Sequence, residues 1–226
     1  MSYLKVVWYI VWKDIFLEFR TREMLNSMLF FSLLVIVIFN FAFEIGRNEV
    51  AKFAPGILWV VFTFAGVLGL NRSFLLEKED GGIMGLMLAP VDRSAIFMGK
   101  AISNFIFMLL TEILVSLAFL FLFNFSPVYE NFIEFFVILF LGTLGFAVIG
   151  TLFSAITVNT SSREILLPLL FFPVLMPVIV AAVSATGLVM SGNGLGEARQ
   201  WLTLMGVFDI LFIAVPVLVF EYVLEE

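Results

Sequence analysis

The sequence predicts an all-α integral membrane protein that crosses the bilayer six times. Hydrophobic residues make up 62% of its 226 residues and charged residues only 13%, and its mean hydropathy is +1.14. Its apolar runs are about 20 residues long, the length of a membrane-spanning helix, whereas the strands of a barrel would alternate over about ten residues. We therefore expect residues 1–226 to form a single transmembrane domain of helices.

Residues 1–23 are predicted to form a helix in the headgroup layer of the membrane. Lys5, Lys13 and Arg20 fall on one side of a helical projection, and Tyr9 and Phe16 lie between them. Basic side chains mixed with aromatic rings are typical of interfacial helices. A helix partly buried against the spans is the alternative, and the early charges predict that no signal peptide is cleaved.

Six apolar runs follow this helix. The predicted spans cover residues 25–42, 55–70, 102–123, 132–158, 165–190 and 201–223. Arg47 and Lys52 belong to a short polar loop that is expected before the second span. Pro168, Pro173 and Pro177 interrupt the fifth run, so we expect a kinked helix there, followed by an irregular or re-entrant piece.

The distribution of basic residues predicts the orientation. An even number of spans puts both termini on one side of the membrane. Nine basic residues fall on that side: Lys5, Lys13, Arg20, Arg22, Arg72, Lys78, Arg93, Lys100 and Arg163. The other side has three, which are Arg47, Lys52 and Arg199. By the positive-inside rule, both termini and the segment 71–100 are predicted to be cytoplasmic.

The segment 71–100 is the only long polar interruption between the spans. Charged residues at 77–80 precede the apolar residues Ile83, Leu86, Met87 and Leu88. Such a segment is typical of an amphipathic helix that lies on the membrane and faces a soluble protein. An ordinary interfacial loop helix is the alternative.

Several kinds of chemistry are excluded by composition and motif. The chain has no cysteine and no histidine, which excludes disulfides, thiolate catalysis and imidazole metal sites. Gly99 and Lys100 do not complete a P-loop, because Ser94 and Ala101 stand where it needs glycine and a hydroxyl residue. The glycine run at 192–196 follows no strand and predicts a flexible outer loop. We expect no ATP hydrolysis by this chain, no enzyme activity and no binding of nucleic acid.

Polar and small residues within the spans are the remaining candidates. Glu112 and Asp209 lie in the third and sixth spans, where buried acids act as hydrogen-bonding groups between helices or as proton relays. The fourth span carries small residues at three- and four-residue steps, which let helices approach closely. They are Thr143, Ala147, Gly150, Thr151, Ser154 and Ala155. This helix-packing face suits packing within the chain or an interface between subunits.

Three sequence stretches carry a resemblance to a known family. They are FRTRE at 19–23, EKEDGGIMGLMLAP at 77–90, and the long run LGTLGFAVIGTLFSAITVNTSSREILLPLLFFPVLMP at 141–177. With these stretches the chain resembles cytochrome c maturation protein B, also called haem exporter protein B, over nearly its whole length.

The resemblance implies a complex in the bacterial inner membrane. Members of the family are similar to type-2 ABC exporter permeases, form dimers and pair with a separate ABC ATPase. The implied partners also include a haem-handling membrane subunit, a small one-span subunit and a periplasmic haem chaperone, besides membrane lipid. No cofactor is expected on this chain: ATP is bound by the ATPase and haem by partner subunits. ATP hydrolysis would drive haem delivery or release of the loaded chaperone.

The resemblance also implies roles for individual residues. Residues 77–90, from Glu77 to Pro90, would form the coupling helix that a groove of the ATPase receives. Its turn would comprise Glu79, Asp80, Gly81 and Gly82, and Leu86 and Met87 would anchor it. The outer segments 125–130 and 189–200 are candidate contacts for periplasmic partners.

Three rival functions fit parts of the sequence. A permease that exports a polysaccharide or a lipid-linked substrate shares the spans and the coupling helix. An intramembrane enzyme such as a haem lyase is disfavoured, because the chain has no histidine and no cysteine. A proton-driven carrier would use Glu112 and Asp209 and would work without nucleotide.

Overall fold

The computed structural model of the chain describes residues 2–42, 47–79, 91–123, 131–158, 160 and 162–223. Every regular element in these ranges is a helix, as the composition predicts. The helices are α1 (Tyr3–Thr21), α2 (Glu23–Ala42), α3 (Arg47–Glu79), α4 (Arg93–Phe123), α5 (Phe132–Thr157), α6 (Arg163–Met190) and α7 (Arg199–Val223). Six of them, α2 to α7, are long and apolar enough to cross a membrane, so the six-span prediction is confirmed.

The core lies where α3, α5 and α6 meet. Helix α5 packs against α4, α6 and α7, while α3 packs against α2 and α6. Large side chains from these helices are fully buried, among them Leu58, Ile138 and Phe171. The rings of Phe146 and Phe171 meet edge to face with centroids 4.7 Å apart, a preferred geometry for aromatic pairs. The core is therefore apolar and contributed mainly by three helices.

Helices α3 and α4 extend beyond the predicted spans. The polar loop expected around Arg47 and Lys52 is wrong, because the chain is helical from Arg47 onward. At its other end α3 continues to Glu79, and α4 begins at Arg93 rather than near residue 102. Apolar runs predict only the part of a helix that faces hydrocarbon, whereas helices can continue into the polar layer. Much of the segment 71–100 therefore belongs to two helices.

Helix α6 is continuous through its three prolines. The irregular or re-entrant piece expected after a kink is wrong, because the helix runs from Arg163 to Met190. Membrane helices tolerate proline when neighbouring helices satisfy the freed backbone groups, and α6 packs against α3, α5 and α7. Proline content alone therefore did not predict where this helix ends.

Gly192 ends α6. Its φ is +85°, a left-handed conformation that glycine adopts without strain. The N–H of Gly192 donates to the carbonyl of Val189 at 3.1 Å, and the N–H of Asn193 donates to that of Leu188 at 3.1 Å. This pair of bonds is the Schellman helix cap. The first glycine of the run at 192–196 thus serves as a helix terminator.

Helix α1 lies against the first turns of α4. Its buried face carries Val7, Ile10 and Val11, which pack with Ala95 and Ile96. The two helices approach closely at Gly99, where a Cβ atom would lie 2.7 Å from Cβ of Ile10. Any side chain at position 99 would therefore push α1 away from α4.

Candidate functional site

A buried ion pair joins α1 to α4. Nζ of Lys100 lies 3.0 Å from Oδ2 of Asp14, and the two side chains are only 3% and 9% exposed. Nζ also donates to the carbonyl oxygen of Ser73 on α3, at 3.4 Å. Lys100, on α4, therefore contacts both α1 and α3. A buried charge needs such partners, because unpaired it would cost several kcal/mol, about 3–5.

Glu18 occupies the corner between α1 and α2. The chain turns there through Arg22, whose φ of 57° ends α1. Oε1 of Glu18 accepts a hydrogen bond of 2.8 Å from the N–H of Leu25, in the first turn of α2. Burial raises the pKa of the Glu18 carboxyl above its ordinary value of 4.5, and the N–H groups of Leu25 and Met24 oppose this shift. The side chain thus caps α2 and fixes its direction relative to α1.

Further hydrogen bonds carry this polar contact on to α5. Nδ2 of Asn104 donates to Oγ1 of Thr151 at 2.9 Å, and the Ser154 hydroxyl donates to the carbonyl of Leu70 at 2.8 Å. Asp14, Glu18, Ser73, Lys100 and Asn104 line one small cavity. We call these five residues the polar junction. It connects α1 with α3 and α4 and, through Thr151, with α5.

The predicted ATPase-coupling residues lie next to this junction in the chain. Glu77 and Glu79 fall in the last turns of α3, a few residues beyond Ser73. The other coupling residues, Asp80, Gly81, Gly82, Leu86, Met87 and Pro90, lie outside the described residues, so their helix and roles stay predictions. Helix α4 begins at Arg93, seven residues before Lys100. The junction therefore lies between the two helices that lead into and out of the predicted coupling segment.

The predicted helix-packing residues are buried within the chain. Ala147, Thr151 and Ser154 are at most 4% exposed. At Gly150 a Cβ atom would lie 2.2 Å from Cδ1 of Leu70 on α3. In the described structure this small-residue face is occupied by α3 and α4 of the same chain, so it is not free to form a subunit interface.

Glu112 pairs with Thr143 inside the membrane-spanning bundle. The Thr143 hydroxyl lies within hydrogen-bond distance of Oε2 of Glu112 and of the carbonyl of Leu139, at 2.6 Å. A hydroxyl has one proton and cannot donate to both acceptors. Both contacts are satisfied when the Glu112 carboxyl is protonated and donates to Thr143. The geometry therefore fits a neutral Glu112 that links α4 to α5.

Asp209 has a different environment. It is 3% exposed, and neither of its carboxylate oxygens has a hydrogen-bond partner among the described residues. The Asp209 carboxylate fits against α5 because Gly145 has no side chain: a Cβ atom there would lie 2.5 Å from Oδ1 of Asp209. The structure does not bring Asp209 and Glu112 into a hydrogen-bonded chain, so the relay expected of a proton carrier receives no support from these contacts.

The outward face of α1 is aromatic and basic. Trp8, Trp12 and Phe16 are each more than 60% exposed, and Lys5, Lys13 and Arg20 are exposed beside them. The opposite face packs on α4. For that face the structure therefore agrees with the alternative prediction, a helix partly buried against the spans. A helix with this pair of faces suits the headgroup layer.

Sequence reasoning missed the polar junction. The sequence pattern predicts Lys100 as a cytoplasmic charge and as part of an incomplete P-loop, and it assigns Asp14 and Glu18 only to the early charges that argue against a signal peptide. One signal was available: Asp14 and Glu18 are four residues apart on the face that carries Val7 and Val11. Acids on the apolar face of a helix indicate a buried partner.

Comparison with known proteins identifies the family. The profile of the CcmB protein family matches residues 5–225. A relative named Heme exporter protein B from Rhodobacter capsulatus is 32% identical over 168 residues, which cover 74% of this chain and 76% of the relative. A protein of the same name from Pseudomonas aeruginosa is 27% identical, over 81% of this chain and 81% of the relative. Another from Escherichia coli K12 is also 27% identical, over 79% of this chain and 80% of the relative. This multi-pass membrane protein belongs to the CcmB family.

Proposed function

We propose that the chain is the membrane subunit of an ABC transporter that serves cytochrome c biogenesis. The observation that carries this proposal is the family match over residues 5–225 on a chain with six helices able to cross the membrane. Relatives of similar length bear the name Heme exporter protein B. In this role the chain does not hydrolyse ATP; a separate ATPase subunit does.

Coupling between the ATPase and the membrane subunit would use residues 77–90. These residues run from the last turn of α3 toward α4 along the chain, and the charge distribution predicts that they lie on the cytoplasmic side. Leu86 and Met87 are the proposed anchors in a groove of the ATPase. A force applied there would reach the bundle through α3 and α4, which pack against each other.

The complex would include the partners that the family resemblance implies. They are the haem-handling membrane subunit, the small one-span subunit, the periplasmic haem chaperone and a second copy of this chain. The complex sits in the bacterial inner membrane with both termini of this chain in the cytoplasm. ATP hydrolysis drives haem delivery or the release of the haem-loaded chaperone.

Replacing the two anchors tests this proposal. In a tagged chain, the double substitution Leu86→Asp and Met87→Asp is expected to leave the protein in the membrane but to abolish co-purification of the ATPase, because two carboxylates cannot enter an apolar groove. The matched control is Gly194→Asp with Gly196→Asp, which adds the same charge in the loop between α6 and α7, where a side chain has open space.

Co-purification should be measured as nucleotide-hydrolysing activity in the eluate. The control variant is expected to retain that activity at the level of the unchanged chain. Equal ATPase recovery with both double variants would contradict the assignment of residues 77–90.

A further inference from the structure

We propose that Lys100 is a positioning residue that locks α1 to the two helices flanking the segment 80–90, so that α1 moves together with them. The proposal rests on the coupling role proposed above for its functional meaning, but its structural part concerns described residues only. The contacts that carry it are those of the polar junction.

The position of Lys100 along the chain makes it suitable as a lock. At 1.5 Å rise per residue, Lys100 lies about 10 Å from the start of α4, and Ser73 lies about 9 Å from the end of α3. Nζ of Lys100 contacts the Ser73 carbonyl and the Asp14 carboxylate. One ammonium group thus holds α3, α4 and α1 together about two turns from the segment that would receive the ATPase.

Charge and burial distinguish this contact from ordinary helix packing. The Lys100 side chain is 3% exposed, whereas lysine is almost never fully buried unless it is paired. A methionine or leucine would fill the same space between helices without the cost of burying a charge. An ion pair has one property that apolar packing lacks: it holds two elements at a fixed register. This property is what a mechanical connection requires.

The surroundings of the pair leave α1 little freedom to slide. Gly99, next to Lys100, lets the backbone of α4 approach Ile10 and the carbonyl of Val7. Glu18, one turn after Asp14, caps the start of α2 through Leu25. Helix α1 is therefore fixed at its middle by Lys100 and at its end by Glu18.

Asp14 also provides an internal control. Its Oδ1 lies 3.3 Å from Nζ of Lys13, whose side chain is 45% exposed. Two lysines therefore contact the same carboxylate, one at the surface and one buried between helices. Exposed ion pairs contribute little to stability, whereas removing one partner of a buried pair is strongly unfavourable. Only the buried lysine should matter for the lock.

The first test measures whether α1 detaches. The chain has no cysteine, so Val11→Cys, at a position 2% exposed on the buried face of α1, can report accessibility to a maleimide in the purified full-length protein. Adding Lys100→Met is expected to raise the labelling rate at least about tenfold, because it leaves the Asp14 carboxylate buried against α4 without its ammonium partner, and α1 must then open to return that charge to water. Adding Lys13→Met is expected to leave the rate within about twofold.

A second cysteine checks that the bundle is intact. Ala182→Cys lies in the core of α6 at 0% exposure and should stay protected in every variant. If Lys100→Met does not yield folded protein, Asp14→Asn breaks the same pair with almost no change in side-chain size and is expected to give the same increase at Val11→Cys. Equal, slow labelling in the Lys100, Asp14 and Lys13 variants would overturn the lock.

The second test asks whether the lock transmits movement. In the complex purified with its ATPase, Val11→Cys should stay protected with and without ATP when Lys100 is present. With Lys100→Met the labelling rate should rise further when ATP is added, because α3 and α4 then move without α1. A purely static contact would give a rate that ATP does not change, and that result would overturn the transmission role.

The two tests also separate this proposal from the proposed function. If no ATPase accompanies the chain, the proposed function fails, and the first test still decides whether Lys100 holds α1. If the ATPase accompanies the chain and labelling does not depend on Lys100, the function stands and the lock fails.

Discussion

At the scale of single residues, the buried polar side chains separate into paired and unpaired groups. Lys100 has the Asp14 carboxylate, Glu18 has the N–H of Leu25 and Glu112 has the Thr143 hydroxyl. Asp209 has no such partner among the described residues. Because a buried polar group without a hydrogen bond is costly, the paired residues should respond to loss of their partners.

Replacing Thr143 by valine should destabilise the bundle. The substitution keeps the shape of the side chain but removes the hydroxyl that contacts Glu112, which leaves a buried carboxyl without a partner at a cost of about 1–3 kcal/mol. Thermal unfolding in detergent measures the change. The control is Thr111→Val, which removes a hydroxyl whose hydrogen-bond acceptor in the described part of the chain is the carbonyl of Phe107 in its own helix. Equal unfolding temperatures for the two variants would contradict the pairing.

Glu18 predicts a pH dependence of stability. Burial raises the pKa of its carboxyl in the folded protein above the ordinary value of 4.5. The stability that this residue contributes is therefore fully present below about pH 4.5 and is lost as the pH rises through the raised pKa. Glu18→Gln keeps an oxygen for the N–H of Leu25 but cannot ionise.

The measurement compares unfolding temperatures of the unchanged chain and Glu18→Gln across the acidic to neutral range. The unfolding temperature of the Gln variant should rise relative to that of the unchanged chain as the pH rises, because only the unchanged chain must ionise a buried carboxyl. A constant difference between the Glu18 variant and the unchanged chain would argue against a buried, titrating Glu18.

At the scale of helices, small residues determine how closely the elements approach. A Cβ atom at Gly142 would lie 2.3 Å from Cη2 of Trp59, and the Trp59 ring is held by a 2.9 Å hydrogen bond from Nε1 to Oγ1 of Thr186. Helices α3, α5 and α6 meet at this point. The ring has little room to move, so the glycine is required.

Gly142→Ala is expected to cost about 1–3 kcal/mol through overpacking. The matched substitution Gly206→Ala in α7 meets no atom within 4 Å, and it should be neutral or gain up to about 1 kcal/mol from helix propensity. Unfolding temperatures of both variants decide the matter. If the Gly142→Ala variant is as stable as Gly206→Ala, the Trp59 ring can move to make room for the added methyl group, and the prediction is wrong.

Helix number was predictable from the sequence, but helix ends were not. Apolar runs identify the hydrocarbon-facing part of each helix, and hence the six spans, because a bilayer demands that length. Helix α3 extends to Glu79 because a helix can continue from the hydrocarbon into the polar layer. Helix α6 is unbroken because neighbouring helices satisfy the backbone groups that its prolines leave without a helical partner. Neither can be read from hydropathy.

The polar junction illustrates the same limit at a site. The sequence shows that Asp14 and Glu18 share a face with Val7 and Val11, and this indicates burial. It does not show that Lys100, on a helix 86 positions away in the chain, is the partner. That pairing depends on how α1 docks against α4, which is a property of tertiary packing.

At the scale of the whole molecule, α1, the last turns of α3 and the first turns of α4 lie together at one end of the bundle. The contact of Asp14 with Lys100 places them together. The turn at Gly192 follows α6, whose first turns carry Glu164 and Pro168. These two residues line one cavity with Asn71 and Arg72 of α3, so the turn at Gly192 lies at the other end of α6. The charge distribution then predicts which end faces the cytoplasm.

Cysteine labelling in intact cells tests that orientation. The chain has no cysteine of its own, so Ser2→Cys and Asn193→Cys each give a single site. A membrane-impermeant maleimide applied from the periplasmic side should label Asn193→Cys and leave Ser2→Cys unlabelled until the membrane is disrupted. The reverse pattern would overturn the assignment of residues 77–90 to the cytoplasm.

The most direct test of the central claim is an affinity purification of the tagged, unchanged chain from mild detergent. ATPase activity and the haem absorption spectrum of the eluate are recorded together. The proposed function predicts a co-purifying ATPase together with haem-handling subunits, and an ATPase without haem would favour an exporter of another substrate, such as a polysaccharide or a lipid. An eluate without ATPase activity would contradict the claim that this chain couples ATP hydrolysis to work in the membrane.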